Sequence, residues 1–346
     1  MVRTLDPDDV SEWLATLWPF ATSDPFVLAG VNDDDCAVLQ WDEQLLVLTA
    51  DFLNASPIAS QLGIATLKDL GRLVVASSVS DLCGSGARPR AMLLGAMLEH
   101  GTTEEEFQLL MMGAKEAATH WGVKVIGGDT KLGPSRALFS VGIGSALSRA
   151  NLFLNNGGEP GDLLWCSGSL GSCSAATVGL ARTDVSQEWS DWAKDAILNP
   201  RIPLEQSQQL SIRQLGKGGV DISDGLGADL YKICRASGTG AVIDAMSIPF
   251  DEHVTQLAHK ISVEPWAFAF SSGGDFQFLV STAPSALREV EDLGLHLVGK
   301  LTKKATLKLE IGNQSFPLPT GGHRDARGLS FVDEILTLLR QLPKNE

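Results

Sequence analysis

The sequence predicts a two-domain protein of mixed α/β (α+β) class. Three observations predict it: a length of 346 residues, an alternation of helix-period and strand-like apolar segments through both halves, and one polar, glycine-rich interruption near the middle. At roughly 150 residues per domain the length allows two, each able to bury a core. The interruption is Asn155-Asn156-Gly157-Gly158-Glu159-Pro160-Gly161, and it separates an N-terminal domain, 1–150, from a C-terminal domain, 151–346.

From Asp8 to Trp18, apolar Val10, Trp13, Leu14 and Leu17 recur at helical spacing until Pro19 stops the run. A turn around Gly30 to Asp33 leads into two apolar runs, Cys36 to Leu39 and Leu45 to Leu48, joined by Asp42-Glu43-Gln44 as a hairpin. Thr66 to Ser80 is helical in the spacing of Leu67, Leu70 and Val74, and Ala91 to Leu98 is a buried strand. Thr103 and Glu106 form a capping box ahead of Phe107, Leu110 and Met111, and that helix ends near Trp121-Gly122. Val123 to Ile126 and Ala137 to Leu147 are strands, with Gly127-Gly128-Asp129-Thr130 between them. The second half restarts with a strand, Asp162 to Cys166, and a turn of small residues, Ser167 to Ser174. Helices follow at Leu204 to Leu215, Gly225 to Ser237 and Pro284 to Leu293, with strands around Ala241 to Ile243 and Phe276 to Val280.

Composition removes several classes of function. With 44% hydrophobic and 20% charged residues, the chain can fold throughout. A net charge of -15 is the wrong sign for a protein that grips nucleic acid through its phosphates. No run of 18 apolar residues occurs, and the start lacks the basic and apolar regions of a secretory signal, so a cytoplasmic protein is expected. The five cysteines (36, 83, 166, 173 and 234) form no C-x-x-C pair and are expected as buried thiols, while the six histidines are scattered, with no zinc motif.

The informative residues are aspartates at the ends of apolar runs. Asp33-Asp34-Asp35 precedes the first hairpin strand, and Asp51 ends the second after Thr49. Asp81 follows a helical run, Asp129 follows a double glycine, and Asp221 and Asp224 stand in Val220-Asp221-Ile222-Ser223-Asp224-Gly225. Each alone is an ordinary turn or cap residue, and Asp224 could cap the next helix. Together they could converge, and converging carboxylates need positive charge, for which their oxygens suit Mg²⁺ better than zinc. Small residues at Gly127-Gly128-Asp129-Thr130 and Gly168-Ser169-Leu170-Gly171-Ser172 could let backbone N–H groups reach phosphate oxygens. Neither a P-loop nor a Rossmann fingerprint is present. Metal-dependent phosphate chemistry is therefore the expectation.

The motifs then occur in a familiar order. Gly30-Val31-Asn32-Asp33-Asp34-Asp35-Cys36-Ala37-Val38-Leu39, Thr49-Ala50-Asp51, Val79-Ser80-Asp81-Leu82 with Gly86-Ala87-Arg88-Pro89, and Gly127-Gly128-Asp129-Thr130 are followed by Pro160-Gly161-Asp162. Asp221-Ile222-Ser223-Asp224-Gly225-Leu226 with Asp229-Leu230, and Ser272-Gly273-Gly274-Asp275-Phe276, complete the series. The set resembles the thiamine-monophosphate kinase family, within the superfamily of aminoimidazole ribonucleotide synthetases. The resemblance implies a two-domain α/β fold whose N-terminal domains pair into a homodimer, with ATP and several Mg²⁺ ions near that interface. It implies metal binding by Asp35, Thr49, Asp51, Asp81, Asp129, Asp221 and Asp224, and nucleotide contacts from Gly128, Asp129, Arg149 and Ser223. Asp129, Arg149 and Asp224 are the implied catalytic residues.

In such a reaction the phosphate of thiamine monophosphate attacks the γ-phosphorus of ATP. A phosphate oxygen is already deprotonated at neutral pH, so the work is alignment and charge neutralisation, which suits aspartates more than histidines. The departures from the family pattern lie mostly at the acceptor. Leu132 replaces an arginine, the family's acceptor-binding histidine falls near Pro57-Ile58, and its glutamate is missing from Gly273-Gly274-Asp275-Phe276-Gln277. Gly328-Leu329-Ser330-Phe331 stands where the family carries Gly-x-x-His-Phe. Two alternatives stay open: a related kinase or amide-activating cyclase acting on another small molecule, and a non-catalytic nucleotide-binding protein. Selenophosphate synthetase fits less well because no cysteine precedes Cys36, and the hydrogenase-maturation relative because no cysteine stands in the tail.

Overall fold

Two threonines start the longest helices by the same device. Thr66 and Thr103 each accept a backbone N–H three residues on, from Asp69 and Glu106, whose carboxylates bond back to the threonine N–H; two orphan donors are satisfied at each end. The residues described in the computed structural model are 14, 16–18, 25–31, 33–53, 56–271, 273–320 and 330–343. Most of the expected first helix, and Gly328-Leu329 of the C-terminal motif, lie outside them.

The first sheet contains β1 (Val27–Ala29), β2 (Ala37–Trp41), β3 (Gln44–Leu53), β4 (Arg88–Glu99), β5 (Lys124–Gly133) and β6 (Ala137–Ala146), in the order β1-β2-β3-β6-β4-β5. Its helices are a single turn, α1 (Ile58–Gln61), then α2 (Leu67–Gly84) and α3 (Glu104–His120), which pack on each other. The second sheet contains β7 (Leu163–Cys166), β8 (Gly216–Ile222), β9 (Gly240–Asp244), β10 (Gln277–Thr282), β11 (His296–Thr302), β12 (Leu307–Ile311) and β13 (Gln314–Pro317). Their order is β13-β12-β9-β11-β7-β10-β8. Around it lie α4 (Ser172–Arg182), α5 (Gln187–Leu198), α6 (Leu204–Ile212), α7 (Leu226–Ser237), α8 (Glu252–Ile261), α9 (Leu287–Glu291) and α10 (Ser330–Gln341). Both sheets mix helices with largely antiparallel strands, the α+β form of the expected class. Among the described residues no helix is long and apolar enough to cross a membrane.

One apolar cluster joins the two sheets. Val74, Val75 and Val79 of α2 share it with Trp165 of β7 and Phe278 and Val280 of β10. The end of α2 lies so close to β8 that a Cβ on Gly84 would stand 2.3 Å from the Asp221 nitrogen. Only glycine permits that approach. Burial of Ser78 and Ser80 also explains why α2 outruns its expected end at Ser80. These hydroxyls read as a helix end in the sequence, yet they bond inward, Ser80 to Asp221 at 2.7 Å. Asp81 is thus inside the helix rather than after it.

Three further expectations change. Gly127-Gly128-Asp129-Thr130 is no connection: β5 runs straight through it in parallel register with β4, Gly95 opposite Asp129. A Cβ on Gly128 would meet the Leu94 carbonyl at 1.6 Å, so strand pairing itself accounts for that glycine. The small-residue turn ends at Gly171, where α4 begins. The helices α1, α4, α5, α8 and α10 and the strands β1, β8, β11, β12 and β13 have no counterpart in the pattern read from the sequence. All five cysteines are free and buried, as expected.

Candidate active site

Backbone bonds decide which of three adjacent aspartates is available. Asp33 accepts from the Gly30 N–H at 2.9 Å. Asp34 accepts from Cys36 at 3.0 Å and from Asn155 at 2.7 Å. Asp35 is left facing the second half of the chain, 3.5 Å from Lys232 Nζ. There α7 presents Lys232 one turn beyond Asp229, at 3.0 Å, with Asp224 at 3.3 Å. Asp224 does not cap α7: its neighbour Gly225 holds the cap position, and Asp229 Oδ2 accepts the N–H groups of Asp224 and Gly225 at 3.0 and 3.1 Å. Its carboxylate is consequently free for the site.

Asp51 of β3 and Asp81 of α2 complete the cluster. Thr49 donates its hydroxyl to Asp81, and Asp51 lies within hydrogen-bonding reach of the same carboxyl group. Two carboxyls can share such a bond only while one holds a proton. Loss of solvent, then the charges of Asp221, Asp51 and Asp35, push Asp81 well above the usual carboxylate range. Burial likewise raises Asp221, helped by Asp229 and Asp35, and raises Asp229 to about 7 against the pull of Lys232. Burial alone would lower the Lys232 ammonium, but Asp229, Asp35, Asp224 and Asp221 outweigh it and hold it charged. The cluster is short of positive charge, and its donors are hard oxygens. Among the described residues no three potential ligands converge tightly on one point; the carboxylates are spread around Lys232.

Beside the cluster opens a cavity of about 630 Å³. Asp35, Thr49, Asp51, Asp81, Asp221, Ser223 and Asp224 line it. Phe52, Leu53, Ile58, Leu73, Ile197 and Phe276 add an apolar share of the wall. Ile58 and Gly274 offer neither an imidazole nor a carboxylate to this wall. Gln61 donates Nε2 to the Ser56 carbonyl at 2.7 Å, leaving its Oε1 buried without a hydrogen-bond partner. Phe276 adopts a left-handed backbone, φ 52°, which is costly for an aromatic residue and persists where the surroundings enforce it.

Other expected site residues lie apart within the single chain. Gly128 and Asp129 are on the sheet-edge strand β5, three strands from Asp51, and the exposed Asp129 pairs with Lys131 at 3.2 Å. Arg149 sits on a short exposed turn, its guanidinium bonded to Asn156 at 2.9 Å and to the Leu152 carbonyl at 3.3 Å. Asp34 is the carboxylate whose charge it feels. The glycine-rich turn at Gly168 to Ser172 is not an open phosphate cradle. Asp275 fills it, accepting the Gly171 and Cys173 N–H groups at 2.6 and 2.9 Å, while burial raises its carboxyl to about 6. Sequence reasoning missed Lys232; the available signal was a lysine one helical turn after Asp229, on the face that the preceding aspartates share.

Comparison with known proteins agrees with this geometry. Residues 33–146 match the model of the AIR synthase related protein N-terminal domain, and 159–312 that of the C-terminal domain. The thiamine-monophosphate kinase of Pyrococcus horikoshii is 26% identical over 302 residues, 87% of this chain and 92% of that one. That of Escherichia coli K12 is 30% identical over 273 residues, 77% of this chain and 80% of that one. Among solved structures, AaThiL complexed with AMPPCP and TMP superposes with a TM-score of 0.79 at 18% identity, covering 94% of this chain and 99% of that one. The thiamine-monophosphate kinase of Stenotrophomonas maltophilia K279a gives 0.68 at 25% identity, covering 87% and 95%. The fold, the order of the acidic motifs and the likeness along most of the chain lead to one conclusion: the chain belongs to the thiamine-monophosphate kinase family.

Proposed function

We propose that the chain is an ATP- and Mg²⁺-dependent phosphotransferase that converts thiamine monophosphate to thiamine diphosphate. The observation that carries this reading is the undercompensated carboxylate cluster in the wall of a cavity that apolar side chains also line. Its relatives are named for that reaction, and one solved structure of the fold holds AMPPCP and TMP. Asp35, Thr49, Asp51, Asp81, Asp221 and Asp224 fit Mg²⁺ in charge and donor type and would hold it. Bound there, it supplies the positive charge that two approaching phosphate groups require. The protein aligns the acceptor phosphate with the γ-phosphate, and no general base is needed, because the attacking oxygen carries no proton to remove. The apolar wall would take the rings of the acceptor, and Gln61 Oε1 would accept a hydrogen bond from the aminopyrimidine.

Gly128, Asp129, Arg149 and Ser223 complete the proposed nucleotide and catalytic set. Because Asp129 stands on β5, its participation calls for a homodimer joined along that edge. Exposure supports this: Val125, Ile126 and Leu132 are 45, 60 and 61% exposed on a strand paired on one side alone. A bare apolar edge is otherwise an aggregation hazard. Five unpaired thiols support a reducing compartment, the cytoplasm.

Phosphorus NMR of the protein with ATP, Mg²⁺ and thiamine monophosphate tests the reading. Stoichiometric ADP and thiamine diphosphate are expected. ATP binding without either product would remove the named acceptor. That result would favour another small phosphorylated acceptor, for which the uncharged wall at Ile58 and Gly274 speaks.

A further inference from the structure

Asp35, Asp224 and Asp229 ring one ammonium, that of Lys232, and the charges of Asp221 and Asp51 reach it as well. That ammonium is not a surface charge that wandered inward. Lys232 lies on α7, three residues beyond Asp229, with only 29% of its side chain exposed. Asp229 is fully buried and is fixed from the other side by the Asp224 and Gly225 N–H groups. The same bonds fix the backbone that carries Asp224, so two of the three anions around Nζ are pinned to one loop. The third, Asp35, arrives from the first sheet. Nζ stands 3.0, 3.3 and 3.5 Å from their oxygens. A hydrated divalent ion ligated by Asp224 and Asp35 would need the volume Nζ fills and would meet a like charge there.

We infer that Lys232 is a resident counter-ion that takes the place of one divalent cation, so that the site binds one metal ion fewer than its carboxylates would otherwise hold. The inference rests on the metal-nucleotide reading above. Lys232 acts here through the carboxylates and is a positioning residue. It presets the spacing of Asp35 and Asp224 across the two halves before nucleotide arrives. It also leaves Asp51, Asp81 and Asp221, which it does not ion-pair, as the open metal-binding side.

The test counts Mn²⁺ bound per chain, by electron paramagnetic resonance of the free ion, with saturating AMPPCP. Wild type is compared with Lys232→Met, which keeps the length and loses the charge, and with Lys232→Arg, which keeps the charge. Lys232→Met is expected to bind one more Mn²⁺ per chain than wild type, and Lys232→Arg the wild-type number. Equal counts in wild type and Lys232→Met overturn the inference and leave the metal site standing. No Mn²⁺ on any of the three overturns the metal reading and this inference with it. A second measurement needs no variant: anomalous scattering from wild-type crystals grown with Mn²⁺ and AMPPCP. Manganese held by Asp51, Asp81 and Asp221, with at most one of Asp35 and Asp224 on any ion and Lys232 in place, supports the inference; manganese ligated by both Asp35 and Asp224, with Lys232 turned away, refutes it.

Discussion

The acidic cluster and the β5 edge use the same residue type in opposite circumstances. Asp81 and Asp221 line the cavity but are largely withdrawn from water and stand beside other carboxylates, so each resists ionisation until cations arrive. Asp129 is in solvent, with Lys131 at 3.2 Å as its partner. The cluster stores electrostatic repulsion that binding can release, whereas the edge stores nothing by itself and gains a role from a neighbouring surface. The chain alone assembles the first region; on the proposed reading the second takes part only with a partner copy along β5.

The largest effect expected from breaking this contrast is at Asp81. Asp81→Asn should cut turnover about a thousandfold by weakening charge neutralisation at the phosphates. The metal-free protein should nevertheless melt higher, by ~1 kcal/mol of stability, because a buried repulsion is removed. Turnover assays and calorimetry without metal would expose any failure of this opposition. Asp129→Ala should lower turnover about a hundredfold while changing stability by less than ~0.5 kcal/mol, as for an exposed side chain. A stability loss as large as that from a core mutation would show that β5 is not the open edge described.

Ile126→Lys should shift the mass seen by light scattering from dimer to monomer, and lower turnover about tenfold at micromolar concentration. If the native chain is already monomeric and active, the second region has no part in the site. The smallest effect concerns Asp275, which belongs to neither region. Burial raises its carboxyl from 3.8 to about 6, so folding favours the protonated form. Its stabilising contribution is complete below pH 3.8 and is lost as the pH rises through 6. Wild type should therefore lose a few degrees of melting temperature across that window relative to Asp275→Asn, in paired thermal melts without metal.

The fold was legible where local chemistry is strong. The Thr103–Glu106 capping box, the β2–β3 hairpin and the restart after Asn155 to Gly161 are written in short stretches, whereas the matching box at Thr66 and Asp69 went unread. What escaped depends on contacts far apart in the chain. Ser78 and Ser80 look like a helix end until Ser140 and Asp221 are placed against them. Gly127-Gly128 looks like a turn until β4 is laid beside it. At the site, the aspartate motifs announced the acidic cluster and the resemblance already named Asp35; the physical reason, backbone N–H groups that occupy Asp33 and Asp34, shows only in the fold. Lys232 was missed because its one signal, a place one helical turn after Asp229, gains meaning only when Asp35 arrives from the other half of the chain. Asp275 shows the converse: a turn rich enough in glycine to hold phosphate is already filled by the protein's own carboxylate.

The contact between Gly84 and Asp221 has a consequence for how the molecule comes apart. It anchors the far end of α2 in the second sheet, and the Val74 to Val79 stretch shares its core with Trp165 and Phe278. Chain cut between Asn155 and Gly161 would leave both fragments with raw apolar surface, and neither should persist as a folded piece. Heating should accordingly produce one unfolding transition rather than two, and the halves should exchange their slowest amide hydrogens together. The interruption that is easiest to see along the chain should then not be a seam along which it yields.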